Sequence, residues 1–541
     1  MFKLFGDKPD HPLYSLAEAK LLLSQLPQDD AKESLEEITF WLESIKSAAG
    51  FSPELRIEII LLLDEAGQSL HAELLHRFLS VPRLRDVQGT HLWQGMHAFT
   101  KALSEAYASS IREYQQVENK PSNLKQQLPL ICVRQLLATS GQLKLDLMQY
   151  IEVEPSVWQQ MWFCYQFAEI EGCAEGMVPA YAGHTNHTSP KRELLRALVL
   201  YISSPGTLSA DQIELSYRIA GHFASSFELK KVAEAYCPYQ LDLSKNQPPH
   251  KTDSNLIGTQ NTRLFGAVRA LPALKKIIDQ IESGTLLQKP RFGSELTPAG
   301  ELIMLKHLMN YWASELPRRL LERRGINATI EVAHGFRVIN QVVTDLNAGN
   351  ITEQNISISK KAPKIDLAAD ADIDYTTEVW NISDMSMGGI GAILTGRLGT
   401  WVKIGNLCAL KPHNGQQWWI GMIRRLFTDI EKKVHVGIQL LSKYPASVEL
   451  FVLGKGAEDQ FNWETDSGLF ATEYLPAILL PDANKSYTNA TMLMESGHFV
   501  SGAIYQIVLD GQSRHIKITK LLAESKDYEH VEFEWMMQEE Q

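Results

Sequence analysis

The sequence predicts a multidomain α+β protein, with an all-helical N-terminal region at residues 1–315 and two β-rich regions at 316–455 and 456–541. The helical region is predicted from Leu, Ile, Trp and Phe at three- and four-residue spacing, which places them on one face of a helix. The β-rich regions are predicted from short apolar runs separated by Gly, Asn, Asp and Ser. A chain of 541 residues is long enough for several such domains.

Helix start signals support the first of these regions. Capping serines precede apolar-periodic segments at Ser15 and Ser209, and Ser-Pro pairs do so at Ser52 and Ser189. The longest helical patterns run over 55–79, 91–114 and 158–171. We find no fixed repeat period, so the sequence predicts a helical bundle or an irregular helical array, divided by a long loop at 238–261.

Net charge argues against one class of function. The formal charge is −12 and the isoelectric point is near 5.8, whereas proteins that bind nucleic acid polymers present a basic face. We therefore expect no nucleic acid polymer as a partner. Clusters of Arg are local exceptions to this acidic background.

Cysteine usage and hydropathy indicate a cytoplasmic location. The cysteines show no Cys-x-x-Cys spacing, which favours reduced thiols over a disulfide or zinc framework; they are Cys132, Cys164, Cys173, Cys237 and Cys408. The first ten residues lack the apolar core of a signal peptide. The most apolar segment, 57–63, is far shorter than the roughly 20 residues that a membrane span requires.

An arginine cluster follows the last predicted helix, which starts near Thr297 and is disrupted by Pro317. Within the cluster, Arg319 and Arg323 form an Arg-x-x-x-Arg element. Taken alone, such a run is most often a solvated helix end, where cations lie near the last carbonyl groups. A second observation is needed to make it a ligand site.

That observation is an Asp-x-Ser-x-x-Gly element, Asp384, Ser386 and Gly389, inside an apolar, strand-like run at 379–394. Alone, it is most often a tight turn, with Asp and Ser bonding to local backbone. In this order, the two elements resemble the signatures of the PilZ domain, a small bacterial β-barrel that binds the second messenger cyclic di-GMP. The resemblance implies a six-stranded barrel at 316–455, and strand-like runs fit it at 328–332, 390–394, 418–423 and 434–440.

The resemblance also implies roles for the motif residues. Arg319 and Arg323 would hold the guanines and phosphates of cyclic di-GMP, because guanidinium is planar, permanently charged and rich in donors. Asp384 would accept from a guanine edge, Ser386 would donate or accept, and Gly389 would let a planar ligand approach the backbone. The weaker candidates are Arg318, Arg324 and Gly388. We expect no catalytic residue, no metal and no cofactor besides the ligand.

One feature departs from the family pattern. A polar stretch with several Asp and Asn at 345–375 predicts a long loop between the two motifs. Its acidic residues would compete for Arg319 and Arg323 when no ligand is bound. The junction at Pro317 lies between a helix and the first barrel strand, so we expect ligand binding there to be converted into a domain rearrangement.

The C-terminal region, 456–541, predicts five short strands, at 476–481, 490–494, 503–509, 515–518 and 530–535. It contains neither motif. We therefore interpret it as a structural or output module, a degenerate PilZ-like unit that does not bind the nucleotide in the same way.

Enzyme signatures are missing from the sequence. It has no Gly-x-Ser-x-Gly elbow, no Walker loop and no His-Glu-x-x-His motif, and it lacks the motifs that mark enzymes making or degrading cyclic di-GMP. His184 and His187 favour a solvated loop over a metal site. The sequence therefore predicts a non-enzymatic receptor with a protein partner at the helical region or the C-terminal module. The alternatives are a protein-interaction scaffold whose barrel binds no nucleotide, and an enzyme with an unrecognised site in 12–315.

Overall fold

Helices dominate the chain up to Tyr311, and strands dominate it from Arg324 onward, in the computed structural model of this protein. The chain divides into two units, Met1–Arg318 and Arg319–Gln541, here called the helical unit and the barrel unit. The fold class predicted from the sequence is confirmed. The structure describes residues 10–27, 29–80, 87–183, 185–252, 258–285, 292, 296–315, 322–349, 377–395, 399, 401–413, 415, 417–452, 474–482, 484–509, 512–525 and 527–536.

Capping side chains set the starts of several helices in the helical unit. Ser15 accepts from the Glu18 N–H at 3.3 Å, and Ser209 forms a complete capping box with Gln212. The predicted helix starts at these serines are confirmed. The helices are α1 Leu16–Ser24, α2 Ala31–Ser47, α3 Pro53–Ser80, α4 Val87–Gln116, α5 Ser122–Met148, α6 Pro155–Ile170, α7 Pro190–Ile202, α8 Ala210–Phe223, α9 Leu271–Glu282 and α10 Pro298–Tyr311. No helix among the described residues is long and apolar enough to cross a membrane.

Small sheets interrupt the helices of this unit. A two-stranded ribbon pairs β1 Val178–Pro179 with β2 His187–Thr188. An antiparallel sheet in the order β3-β6-β4-β5 contains β3 Glu228–Lys230, β4 Tyr239–Asp242, β5 His250–Lys251 and β6 Thr262–Gly266. The loop predicted at 238–261 is thus wrong in part, since β4 and β5 lie in it. The reason is tertiary, because β4 pairs with the fully buried β6, and β5 then pairs with the other edge of β4.

A buried polar cluster ties α3, α4 and α5 together. Asp64, which is fully buried, accepts from Tyr107 at 2.6 Å and from Tyr181 at 3.2 Å. Arg134 lies 3.6 Å from the same carboxylate and donates to Glu65 at 2.5 Å. Burial raises the pKa of Asp64 to about 6, against the opposing effect of the Arg134 charge. These contacts satisfy polar groups that would otherwise be costly inside the apolar core.

The first barrel of the barrel unit is closed and six-stranded, as predicted. Its order is β10-β11-β12-β9-β8-β7, and all neighbours are antiparallel. The strands are β7 Arg324–His334, β8 Glu378–Ser386, β9 Gly389–Leu394, β10 Leu407–Pro412, β11 Trp419–Thr428 and β12 Val434–Ser442. Inward-facing residues such as Ile330, Ile390 and Ile438 are fully buried or nearly so. Closure leaves no unpaired sheet edge.

A helix that was not predicted follows the first barrel strand. This helix, α11 Phe336–Gly349, includes the first five residues of the loop predicted at 345–375, so that prediction is corrected at its start. Residues 350–376 lie outside the described part of the chain. The apolar residues Phe336, Ile339 and Val343 recur at helical spacing and are buried.

The second barrel is also closed and six-stranded, in the order β13-β14-β15-β18-β17-β16. Its strands are β13 Ala446–Val452, β14 Tyr474–Leu480, β15 Thr491–Glu495, β16 Ile504–Leu509, β17 Gln512–Glu524 and β18 Tyr528–Trp535. The strand β13 falls within 316–455, which the sequence assigned to the first barrel. Its hydrogen-bonded partners are β14 and β16, so the first barrel ends at Ser442, before the predicted boundary.

The two barrels share one apolar core with α11. Ala333 and Ile420 of the first barrel, and Ile478 and Tyr528 of the second, belong to the same buried cluster as the α11 side chains. The Tyr528 hydroxyl donates to the Gly405 carbonyl at 2.5 Å. The barrel unit is therefore held together by buried contacts between α11 and both barrels, in addition to the core inside the second barrel.

Tyr528→Phe tests this shared core. The variant removes the hydrogen bond to the Gly405 carbonyl, so we expect the free energy of unfolding of the barrel unit to fall by about 1–3 kcal/mol. Tyr528→Ala also opens a cavity, and should cost about 3–5 kcal/mol. Urea unfolding, followed by hydrogen exchange of the barrel strands, measures both. The matched control is Tyr505→Phe, since the Tyr505 hydroxyl reaches its acceptor only at 3.4 Å, within the second barrel. Equal losses for the two Tyr→Phe variants would contradict the role assigned to Tyr528.

A pH dependence follows from His530 in β18. Burial, aided by the charge of Arg424, lowers the pKa of His530 to about 4. His530 therefore binds a proton more tightly in the unfolded chain than in the folded one. Its contribution to the free energy of unfolding is fully present above about pH 6.5 and is lost as the pH drops toward 4. We expect His530→Gln to reduce this fall by up to about 3 kcal/mol, because Gln carries no titrating group. Urea unfolding at several pH values compares it with His413→Gln, an exposed control that should keep the wild-type dependence.

Candidate functional site

The motif residues of the first barrel meet on its outer face. Arg323, Asp384, Ser386 and Gly389 lie within the described residues, as do the weaker candidates Arg324 and Gly388. Arg318 and Arg319 lie outside the described residues, so the structure bears on one arginine of the Arg-x-x-x-Arg element.

Strand register brings Arg323 to Asp384. Arg324 is the first residue of β7, and Gly325 lies opposite Asp384 in the β7–β8 pair, with a bulge between Gly325 and Ala328. Arg323 therefore enters the barrel beside the middle of the Asp-x-Ser-x-x-Gly element. Its Nη1 donates to Asp384 Oδ1 at 2.5 Å, across 61 positions of sequence.

This ion pair is accessible and easily opened. The side chains of Arg323 and Asp384 are 30% and 32% exposed. Exposed pairs of this kind contribute up to about 1 kcal/mol, because water screens the attraction and two flexible side chains must be held. The pair thus orders both groups in the free protein, yet a ligand can replace it at little cost.

Ser386 and Gly388 belong to the hairpin between β8 and β9. The Ser386 hydroxyl donates to the Gly389 carbonyl at 3.3 Å, and the Gly388 carbonyl accepts from the Leu440 N–H at 3.0 Å. The Ser386 contact matches the turn interpretation of the motif, whereas the Gly388 contact joins the hairpin to β12. The hairpin fixes the direction of the strand that carries Asp384, and the Ser386 oxygen keeps acceptor capacity for a ligand.

Gly389 is required by close packing. A Cβ there would lie 2.8 Å from the Ile438 carbonyl oxygen and 3.7 Å from Arg323 Nη2. The second distance places the Arg323 guanidinium over Gly389. The structure thus brings Arg323, Asp384 and Gly389 together. By contrast, Arg324 pairs with Met385, and alternation along the strand points its side chain away from the face that Asp384 occupies.

A row of glycines crosses the sheet beside this cluster, and the sequence analysis missed it. Gly325, Gly391 and Gly437, here called the glycine row, lie in register with Asp384 and Arg425, in the order Arg425, Gly437, Gly391, Asp384, Gly325 across β11, β12, β9, β8 and β7. Residues directly opposite in antiparallel strands share a face. A Cβ on Gly391 would lie 2.4 Å from Asp384 Oδ2, and one on Gly437 would lie 3.1 Å from the Arg425 Cβ.

The glycine row places no Cβ on the two positions between Arg425 and Asp384, and the Asp384 carboxylate itself lies over Gly391. A flat ring can approach such a surface closely, because no Cβ stands in its way. The sequence offered one indication of this row, namely glycines at alternate positions 389 and 391 and another glycine at 437 in a later strand. Only the register shows that they line up.

The charge on this face is mainly positive. Arg425 is exposed at one end of the row, and Arg424 beside it donates to Gln439 at 2.8 Å. Arg323 contacts the Asp384 carboxylate directly, and Arg425 lies three strands away in the same register row. This arrangement suits a planar, acceptor-rich anion, since guanidinium stacks on flat rings and binds phosphate. Among the described residues, no group of His, Cys, Asp and Glu side chains could hold a metal ion.

Comparison with known proteins gives two family matches. A family model described as "Cyclic-di-GMP receptor FimW, N-terminal domain" matches residues 17–234, and one described as "FimW C-terminal beta-barrel domain" matches residues 465–536. Together they cover just over half of the chain. They match the helical unit and the second barrel, while the first barrel with its candidate site lies between the two matches.

Other comparisons add little. Among solved structures, the chain resembles MrkH, described as a c-di-GMP-dependent transcription regulatory factor, at 6% sequence identity, with a TM-score of 0.14 and coverage of 30% of this chain and 74% of that chain. No curated protein matches the chain.

Two glycine variants compare the cost of a Cβ against fixed backbone with the cost of a Cβ against a movable side chain. We expect Gly389→Ala to destabilise the barrel unit by about 1–3 kcal/mol, because its Cβ meets backbone that cannot turn aside. Gly391→Ala should cost less, since its Cβ meets the end of the Asp384 side chain, which can rotate away. Urea unfolding gives both free energies. Equal losses would show that the Asp384 carboxylate is held as rigidly as backbone.

Proposed function

The chain belongs to the family of the cyclic-di-GMP receptor FimW, and from this premise we propose that it binds cyclic di-GMP on the outer face of its first barrel. One observation supports this location above the others. It is the Arg323–Asp384 ion pair, 2.5 Å long and accessible, placed over Gly389 and beside the glycine row.

Each group of this face has a role that its chemistry allows. Asp384 accepts from guanine N1–H and N2–H, which are donors on the Watson–Crick edge. Arg323 turns from Asp384 to guanine O6 and N7 or to a phosphate oxygen, as guanidinium does in nucleic-acid recognition. The glycine row lets the purine ring lie against backbone. Arg425 and Arg424 add positive charge for the phosphates, a role that the sequence analysis did not assign.

The remaining candidates complete the proposed site. Arg319 supplies the second guanidinium of the Arg-x-x-x-Arg element, and Arg318 adds charge beside it. Ser386 offers its oxygen, and Gly388 and Gly389 keep the hairpin clear of side chains. The support for Arg318 and Arg319 is their place in the sequence, five and four residues before the described Arg323.

Binding exchanges one set of polar contacts for another, and no covalent step is needed. The ion pair keeps Arg323 and Asp384 at the site before binding, and it opens at small cost when both groups turn to the ligand. Arg323 immediately precedes β7, and β7 leads into α11, whose side chains pack in the core that the barrels share. Ligand contacts at Arg323 thus act on an element connected to the second barrel. We propose that this coupling converts ligand binding into a rearrangement.

The setting of this receptor is proposed as the cytoplasm. All five cysteines are free and buried, as is usual for proteins of a reducing compartment. A protein partner would read the rearrangement at the helical unit or at the second barrel. The net charge of −12 favours a protein over a nucleic acid polymer as that partner.

Calorimetry with cyclic di-GMP tests the proposal on the full chain. We expect Arg323→Ala and Asp384→Ala each to weaken binding about ten- to a hundred-fold, because each removes charge-assisted hydrogen bonds. Arg319→Ala should weaken it similarly if the second arginine acts as proposed.

The matched control is Arg337→Ala. Arg337 is another exposed arginine of the barrel unit, paired with Glu495 at 3.0 Å, so its loss changes net charge by the same amount. It should leave affinity nearly unchanged. Wild-type binding by both Arg323→Ala and Asp384→Ala would move the site elsewhere, and an equal loss in Arg337→Ala would reduce the effect to net charge.

A further inference from the structure

The helical unit contains a cavity of about 300 Å³ where α3, α4, α5, α7 and α8 meet. Protein interiors are close-packed, and most voids in them are smaller than a water molecule. This is roughly the volume that ten molecules occupy in liquid water. It lies at the lower end of the range for small-molecule sites.

One part of the cavity wall is apolar. Phe99 and Leu103 of α4 are each 1% exposed, and Leu137 and Ala138 of α5 continue this surface. Such a lining favours a compact hydrocarbon or aromatic group over bulk water, because its apolar atoms offer no hydrogen bonds.

Another part is charged. Lys144 is 5% exposed and donates to Glu214 at 2.6 Å, and Arg218 donates to the other Glu214 oxygen at 2.8 Å. Both oxygens of this carboxylate are therefore occupied. Arg196 lies 3.6 Å from the centre of the Tyr217 ring and donates to the Tyr217 carbonyl.

Three cations and two carboxylates line this wall, namely Lys144, Arg196, Arg218, Asp211 and Glu214. Lys144 has three N–H groups and one hydrogen-bond partner, Glu214, among the described residues. Arg196 bonds through Nε to the Tyr217 carbonyl and through Nη1 to Glu193 at 3.4 Å, with no partner for Nη2 in the described part of the chain. Lys144 is the buried cation of the two, and N–H groups of a buried ammonium that lack acceptors are costly. A ligand rich in acceptors would satisfy them.

A third observation points to the same cavity. His71 of α3 lines it, and its Nε2 is buried without a hydrogen-bond partner among the residues described. Burial, followed by the charge of Lys144, lowers the pKa of His71 to about 4. The imidazole is neutral at physiological pH, so this nitrogen can donate or accept according to its tautomer.

We propose that this cavity binds a small organic carboxylate with a compact apolar body. The carboxylate accepts from Lys144 and Arg196, with His71 beside it, and the body packs on Phe99 and Leu103. Cyclic di-GMP, with two guanosine units, is too large for this volume. The cavity ligand is thus a second and different molecule, and the site stands whether or not the first barrel binds the nucleotide.

Saturation-transfer NMR on the full chain tests the charge of the ligand. Benzoate serves as the probe, and benzamidine is its match, with the same ring and a cationic head. We expect saturation transfer to benzoate and none to benzamidine at equal concentration. Lys144→Met should lower benzoate affinity about tenfold, because a charge-assisted hydrogen bond is lost. Absence of transfer to benzoate, or equal transfer to both probes, would overturn the proposal.

A surface variant locates the binding without disturbing the core. Ala72 of α3 lines the cavity and is exposed, so Ala72→Trp should fill its opening while the protein folds. Ser69→Trp places the same ring on an exposed position of α3 outside the lining. Benzoate transfer should be lost in Ala72→Trp and kept in Ser69→Trp, with unfolding temperatures close to wild type in both. Retained transfer in Ala72→Trp would place benzoate outside the cavity and refute the assignment.

Discussion

The candidate nucleotide site depends on the register between β7 and β8. Pairing of Gly325 with Asp384 fixes the entry point of β7, and this brings Arg323 to a carboxylate 61 positions away in sequence. A shift of the pairing by one residue would turn every side chain of β7 to the opposite face. The bulge between Gly325 and Ala328 adjusts this alignment locally. The surface is thus a product of backbone pairing, on which the side-chain contacts follow.

That register is in turn held by the packing of the whole barrel unit. β7 pairs with β8 on one side and β10 on the other, which closes the first barrel. Its C-terminal end leads into α11, whose apolar side chains join Ile420 of the first barrel and Tyr528 of the second in one core. Interfaces packed in this way respond to a shift by adopting another discrete arrangement, because a close-packed core deforms little. The second barrel is consequently connected to the site through packed side chains, even though it contains neither motif.

The two proposed sites differ in how far water screens the charges that would bind a ligand. On the first barrel, exposed guanidinium groups and a bare backbone surface suit a large, flat dianion, and the accessible ion pair opens at small cost. In the helical unit, the buried Lys144, the half-buried Arg196 and the buried His71 Nε2, which has no partner among the described residues, suit a small anion that is largely removed from water. Electrostatic contacts are stronger in the second environment, because less water screens them. The barrel surface can therefore exchange a ligand readily, whereas the cavity selects by size.

The sequence by itself determined the fold class, the helix starts at capped serines, strand-like runs in β7, β8, β9, β11 and β12, and the pair of motifs, because these depend on local periodicity and on residue spacing. The family resemblance implied six strands, but no run was predicted for β10. It did not determine α11, whose pattern follows a strand without a capping signal, or the pairing of 446–452 with the second barrel. It also missed β4 and β5, the glycine row and the cavity. Each of these depends on which segments become neighbours in space. Strand register aligned Gly325, Gly391 and Gly437, and helix packing enclosed Lys144, so only the tertiary structure decided where ligands can bind.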